Sequence, residues 1–135
     1  MANTVPGAVI RQTWEVTLTS ATVVANRFIK YDGSGYAGPT DANLGVSIDG
    51  GVSGQKITTV IDGEFPVTAG SNGVAAGDDL ICDANGNVVT ATALALSGGS
   101  GSAQTLVGTT LPARRVGKAL TTALVGELCL VALAR

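Results

Sequence analysis

The stretch DDLICDANGNVVTATAL, residues 78–94, decides the fold class, because two β-prone runs stand on either side of Asn85-Gly86. A two-residue type I′ turn needs positive φ at both central positions, and Asn-Gly adopts such angles at low cost. The stretch therefore predicts an antiparallel hairpin. Asp62-Gly63 separates QKITTVI from EFPVTA in the same way and predicts a second hairpin over residues 55–69.

The run TWEVTLTSATVV, residues 13–24, alternates apolar and polar side chains. With a period of two, Trp14, Val16 and Leu18 share one face of a strand. We expect this face to be buried. The alternation favours a core position for Trp14 over a place in a partner's pocket. RFIKY, residues 27–31, is expected to be the partner or the continuation of this strand.

Three more apolar runs, LGVSI, RVGKALTTA and ELCLVALA, predict strands, and their connections are rich in Gly. PARRVGKALTTAL also contains good helix formers, but Gly117 and the β-rich surroundings favour a strand. DGSGYAGPTDAN is a loop by composition. Arg114 and Arg115 are interpreted as a solvated loop end, with an interface role as the alternative.

Short strands at regular spacing predict an all-β, small barrel-like or sandwich domain. A chain of 135 residues fits one domain. We expect residues 1–12 to form an extended N-terminal arm and residues 13–135 a single β domain. Within that domain, residues 97–111 are expected to form a flexible loop, because they begin with the low-complexity segment SGGSGSAQ.

The composition narrows the class of partner. Only 13% of the residues are charged and the net charge is −2, so no basic cluster favours contact with nucleic acid. No apolar run is long enough for a transmembrane helix, and we expect no membrane contact. A surface with so few charges loses little hydration on contact, which favours packing against other proteins.

The residues offer little for catalysis. The chain has no His, the commonest general base and metal ligand. Asp78 and Asp79 are adjacent and fit a turn better than an acid–base pair, and Asp83, Asn85 and Asn87 fit the hairpin better than a calcium loop. We expect no enzyme activity, no cofactor and no bound metal.

The two cysteines, Cys82 and Cys129, lie in apolar runs, and the N-terminus has no secretory signal pattern. We expect both to be buried free thiols in a protein made in a reducing bacterial cytoplasm.

Several segments together resemble the capsid cement, or head decoration, proteins of tailed bacteriophages. They are RQTWEVTLTSATVVANRFIKYDG (residues 11–33), LGVSIDG (44–50), GVAAGDDLICDANGNVV (73–89), VGKAL (116–120) and GELCLVALAR (126–135). The resemblance implies a compact β-barrel-like fold of the β-clip or β-tulip kind with an N-terminal arm. It also implies a homotrimer on the outer capsid surface of the virion, where it binds and bridges the major capsid protein.

The arm and the start of the first strand are the expected contact region, because an extended arm can order on binding by adding a strand to a neighbour. The candidate capsid- or neighbour-binding residues are Asn3, Thr4, Val5, Pro6, Val9, Ile10, Arg11, Gln12 and Trp14. The alternative is a surface-displayed β domain that binds carbohydrate or a host receptor through exposed aromatic side chains.

Overall fold

The computed structural model of the protein describes residues 7–91 and 114–134. The regular secondary structure in this part of the chain consists of β-strands, without a helix, which confirms the all-β prediction. The strands are β1 (Val9–Thr17), β2 (Phe28–Lys30), β3 (Asn43–Ser47), β4 (Lys56–Thr68), β5 (Asp79–Cys82), β6 (Val88–Thr90), β7 (Arg115–Ala119) and β8 (Leu128–Leu133). Their hydrogen-bonded order is β2-β3-β4-β8-β7-β5-β6, with β1 added to β4.

The long strand β4 organises the sheet. Val60 of β4 lies between Thr13 of β1 and Val46 of β3. Glu64 of β4 lies between β1 and β8 in the same manner. β1 therefore occupies one edge of β4, whereas β3 and β8 share the other edge.

The hairpin predicted over residues 55–69 is wrong, because both runs belong to β4. Gly63 has φ +129°, and a Cβ built on it would lie 2.0 Å from the carbonyl oxygen of Val9 in β1. The register between β1 and β4 shifts beside it, between Ile10 and Gln12. Gly63 uses its positive φ for a bulge within the sheet, so the strand continues where a turn was expected.

The hairpin predicted at Asn85-Gly86 is confirmed. β5 and β6 pair antiparallel. The predicted type I′ turn is wrong, because Gly86 has φ 72° but Asn85 does not have positive φ, and the N–H of Asp83 donates to the carbonyl oxygen of Asn87 across a three-residue loop. One carboxylate oxygen of Asp83 accepts hydrogen bonds from the backbone N–H groups of Asn85 and Asn87, which fixes the turn. The two strands predicted near the C-terminus are also confirmed, as β7 and β8, and they pair with each other.

The predicted partnership of RFIKY with the first strand is wrong. Its ordered part, β2, pairs with β3. The connection after β1 does not run straight into β2, since Val23 forms an antiparallel bridge with Gly51 on the way. β1 is free to lie along β4 because this connection turns the chain back on itself.

The sheet curls until its two ends meet. The N–H of Phe28 in β2 donates to the carbonyl oxygen of Gly86 at 2.9 Å. Ala69, just after β4, forms a parallel bridge with Val88 of β6. These contacts close a barrel-like domain around one main apolar core, in which Phe28 and Leu80 are the largest fully buried side chains.

Cys82 and Cys129 are free and buried within this core, as predicted. Burial raises the pKa of the Cys82 thiol to about 12 and also raises the pKa of Cys129. A thiol reacts as the thiolate, so neither side chain is reactive in the folded protein.

We expect a thiol-specific disulfide reagent at pH 8 to label neither cysteine while the protein is folded. In denaturant the same reagent should label both. Rapid labelling of one thiol in native buffer would show that the core around it opens locally.

Candidate functional site

The predicted binding residues divide between described and undescribed parts of the chain. Asn3, Thr4, Val5 and Pro6 lie outside the described residues, as does the predicted loop of residues 97–111. The remaining candidates all lie in β1 and are exposed; they are Val9, Ile10, Arg11, Gln12 and Trp14. Because β1 begins at Val9, the boundary expected between arm and β domain, at residue 12, falls inside a strand.

Trp14 is 58% exposed, so the favoured core position is wrong. The face that it shares with Val16 and Leu18 becomes buried only towards the end of the strand. Val16 is half-buried, and Leu18 is fully buried in a small second cluster with Val23, Ile29 and Ile57. The first residues of β1 extend along β4 beyond the reach of either core, which leaves the indole in solvent.

The outer edge of β1 is open. Within residues 7–91 and 114–134, β1 has a strand partner on one side only. The N–H of Leu18 donates to the carbonyl oxygen of Gln55, so it points towards the β4 side. N–H groups alternate in direction along a strand, so those of Thr13, Glu15 and Thr17 point away from β4. Gly33 covers this edge at its end, because a Cβ built on Gly33 would lie 2.1 Å from the carbonyl oxygen of Thr17 and the N–H of Thr19 donates to the carbonyl oxygen of Gly33. Thr13 and Glu15 remain as the backbone positions that can accept an added strand.

Charged side chains hold the two ends of β1 in place. The guanidinium of Arg11 donates to both carboxylate oxygens of Glu64, at 2.5 and 3.2 Å, and this contact raises the pKa of Arg11. Nearer the other end, Glu15 lies 3.8 Å from the ammonium of Lys56. Exposed ion pairs contribute little stability, so they mainly orient the strand. The Glu15 carboxylate stays exposed.

Two features of this edge disfavour pairing of β1 with the β1 strand of a second copy of the protein. The register shifts place a bulge at Arg11 and leave a short regular stretch from Thr13 onwards. An antiparallel copy of β1 centred on Glu15 would set two like charges opposite each other, which is unfavourable. The edge is therefore better suited to a different segment than to a second β1.

The acidic residues singled out from the sequence have structural roles. Asp78 accepts hydrogen bonds from the N–H of Ala75 and the hydroxyl of Thr90, whereas Asp79 pairs with Arg115. Asp83 stabilises the turn between β5 and β6. The described residues contain no group of three or more side chains placed to hold a metal ion.

Asp78 supplies a pH-dependent contact. Its two hydrogen bonds, chiefly that from Ala75, lower the pKa of its carboxyl group. A lowered pKa stabilises the folded state above the unfolded pKa, and the gain is lost as the pH falls through the folded value. We expect Asp78→Asn to lower the melting temperature at pH 7 and to matter less near pH 2. An equal effect at both pH values would show that charge is not involved.

Comparison with known proteins identifies the fold. No protein-family model matches the chain, and no curated protein matches it either. Among solved structures, the chain is similar to the head fiber gp8.5 N base of bacteriophage phi29, with a TM-score of 0.64 and 17% sequence identity. The match covers 91% of this chain and 93% of that one. The two proteins share a fold over nearly their whole lengths.

The described part of the chain contains no helix with the length and hydropathy needed to cross a bilayer.

Proposed function

We propose that the protein is a structural component of a phage virion that binds the outer surface of the assembled capsid and bridges major capsid protein subunits. The observation that carries the proposal is β1, an edge strand that is exposed over most of its length and, within residues 7–91 and 114–134, open on its outer side at Thr13 and Glu15. An open edge is a template for strand addition by another chain. The fold shared with a phage head fiber base supports a place on the head.

The mechanism is stabilisation by linkage. A protein that binds the assembled shell, and not its separated subunits, stabilises the shell by an amount that grows with its concentration relative to Kd. The negative charges of packaged DNA repel one another, and the resulting outward pressure strains the contacts between shell subunits. A bridge across a seam opposes that load, and a homotrimer would repeat the bridge at three linked contacts and so raise its overall retention.

The β1 contact supplies two kinds of interaction in this proposal. Thr13 and Glu15 provide the backbone groups for strand addition. Trp14 provides a large exposed side chain of the type that dominates binding energy when a partner buries it. The low charge of the whole chain keeps the desolvation cost of the surrounding contact small.

The test is the copy number of the protein, relative to the most abundant shell protein, in density-purified particles from the lysate that produces it. A ratio near one copy per shell subunit is expected of a stoichiometric shell component. Absence from the particles would overturn the proposal. A glycan array would then be the next experiment, because Trp14 and Tyr31 are exposed aromatic side chains.

A further inference from the structure

A second surface, at the edge of β4 opposite to β1, has the features of a binding site. β3 pairs with β4 at Thr59 and Val60, and β8 begins to pair with the same edge only at Glu64. Between these points the two strands diverge. A groove of about 440 Å³ opens in the gap.

The groove has apolar walls and a basic rim. Ile61 of β4, Leu44 of β3 and Leu133 of β8 line it, and Phe28 of β2 also borders it. Arg114 and Arg115 lie at its rim and are exposed. The volume is within the range of sites that bury a small ligand or a few side chains of a peptide.

The strands that flank the groove have interrupted pairing. The ladder between β3 and β4 consists of the pairs Val46 with Val60 and Ser47 with Thr59, so Leu44 lies beyond its end. The ladder between β4 and β8 ends at Ala132, one residue before Leu133. An extended peptide placed here would lie beside two strands, each of which can donate and accept backbone hydrogen bonds.

The charged side chains at the rim of the groove favour a ligand with a negative charge. Arg115 is neutralised by Asp79, with Lys118 also near that carboxylate. Arg114 makes no ion pair with a carboxylate of the described residues. A guanidinium binds a carboxylate through paired hydrogen bonds, and a cation above apolar walls favours a ligand that combines both properties.

We propose that the groove between β3 and β8 binds an extended segment of a partner protein that carries apolar side chains and a carboxylate. The apolar side chains occupy the gap above Ile61, and the carboxylate pairs with Arg114. The flanking strands distinguish a peptide from an acyl chain, which has no use for backbone hydrogen bonds. The site lies at the edge of β4 opposite to β1, and the proposal does not rest on the capsid proposal.

The test uses the peptide acetyl-Val-Leu-Val-Asp-Val-amide, titrated to millimolar concentration into the ¹⁵N-labelled full chain. We expect amide shift changes centred on Leu44, Gly45 and Leu133. Arg114→Glu should weaken binding about tenfold, since it removes a charged hydrogen bond and adds repulsion. Lys118→Glu changes the net charge equally, lies outside the groove and should leave the affinity unchanged.

Three further arms keep the proposal falsifiable. The Asn version of the peptide should bind the parent protein more weakly than the Asp peptide does, but less weakly than the Asp peptide binds Arg114→Glu, because it removes the charge without adding repulsion. Ala134→Trp, which places a large side chain on the groove wall, should also weaken binding. Octanoate should bind more weakly than the peptide. The proposal fails if no shifts occur at these amides, if the Asp and Asn peptides bind equally, or if octanoate binds as well as the peptide.

Discussion

Replacing Gly63 with alanine is expected to lower the free energy of unfolding by about 4 kcal/mol. Two effects combine at this position. The backbone has φ +129°, where side chains other than hydrogen are strained, and the added Cβ would lie 2.0 Å from the carbonyl oxygen of Val9. β4 cannot move away easily, because its other edge is paired with β8 from the next residue. The measurement is chemical denaturation of the variant beside the parent protein.

Gly77→Ala is the matched control. Gly77 has φ +94°, but a Cβ at this position meets nothing within 4 Å. This variant carries backbone strain without a clash, so we expect a cost of about 1 kcal/mol. If both variants lose the same free energy of unfolding, the carbonyl oxygen of Val9 does not contact Gly63. The β1–β4 register would then be wrong.

The two X-Gly dipeptides show how far local sequence specifies this fold. Asn85-Gly86 lies in the predicted hairpin, because the runs on either side are short and pair with each other as β5 and β6, although only Gly86 of this dipeptide has the positive φ that was expected of both residues. Asp62-Gly63 lies between runs of equally high β propensity, yet both continue in one strand. Positive φ serves a turn and a bulge alike. The choice is made by distant partners, β1 and β8, which the local pattern does not reveal.

Trp14 shows the corresponding limit for burial. Its alternation with Val16 and Leu18 correctly predicts a strand with these three side chains on one face. Whether that face is covered depends on what lies opposite each residue. The second cluster covers Leu18, part of Val16 and none of the first half of β1. The alternation of apolar and polar residues thus identifies which side chains share a face of the strand. How many of them are buried depends on which other parts of the chain pack against that face.

The candidate site is also only partly predictable from the sequence, because local patterns do not show which strands become neighbours. Residues 9–12 fall in the expected contact region because they precede the first clear alternation. The outward direction of the Glu15 backbone is not visible in the sequence, because it depends on which N–H of β1 faces β4. Arg114 looks like a loop end in the sequence. The groove that it borders forms only when β3, with Leu44, and β8, with Leu133, come together in the fold, and the local sequence around Arg114 does not show this.

Glu15→Pro is expected to weaken binding to decoration-free shells about a hundredfold, if the protein acts as a trimer on them. The N–H of Glu15 points away from β4, so proline removes an outward donor without removing a hydrogen bond of the β1–β4 ladder. The fold should survive with a loss of about 1 kcal/mol from the altered φ. Sedimentation of labelled protein with purified shells measures the binding, and thermal denaturation measures the fold.

Two matched variants separate the contribution of the open edge from those of side-chain charge and fold stability. Glu15→Gln removes the charge but keeps the outward N–H, so it should retain most of the binding if strand addition is the main interaction. Val16→Pro removes an N–H that faces β4 and should destabilise the fold by about 3 kcal/mol. If Glu15→Pro binds shells as tightly as the parent protein, the outer edge of β1 is not the attachment site. Capsid binding would then have to use another surface.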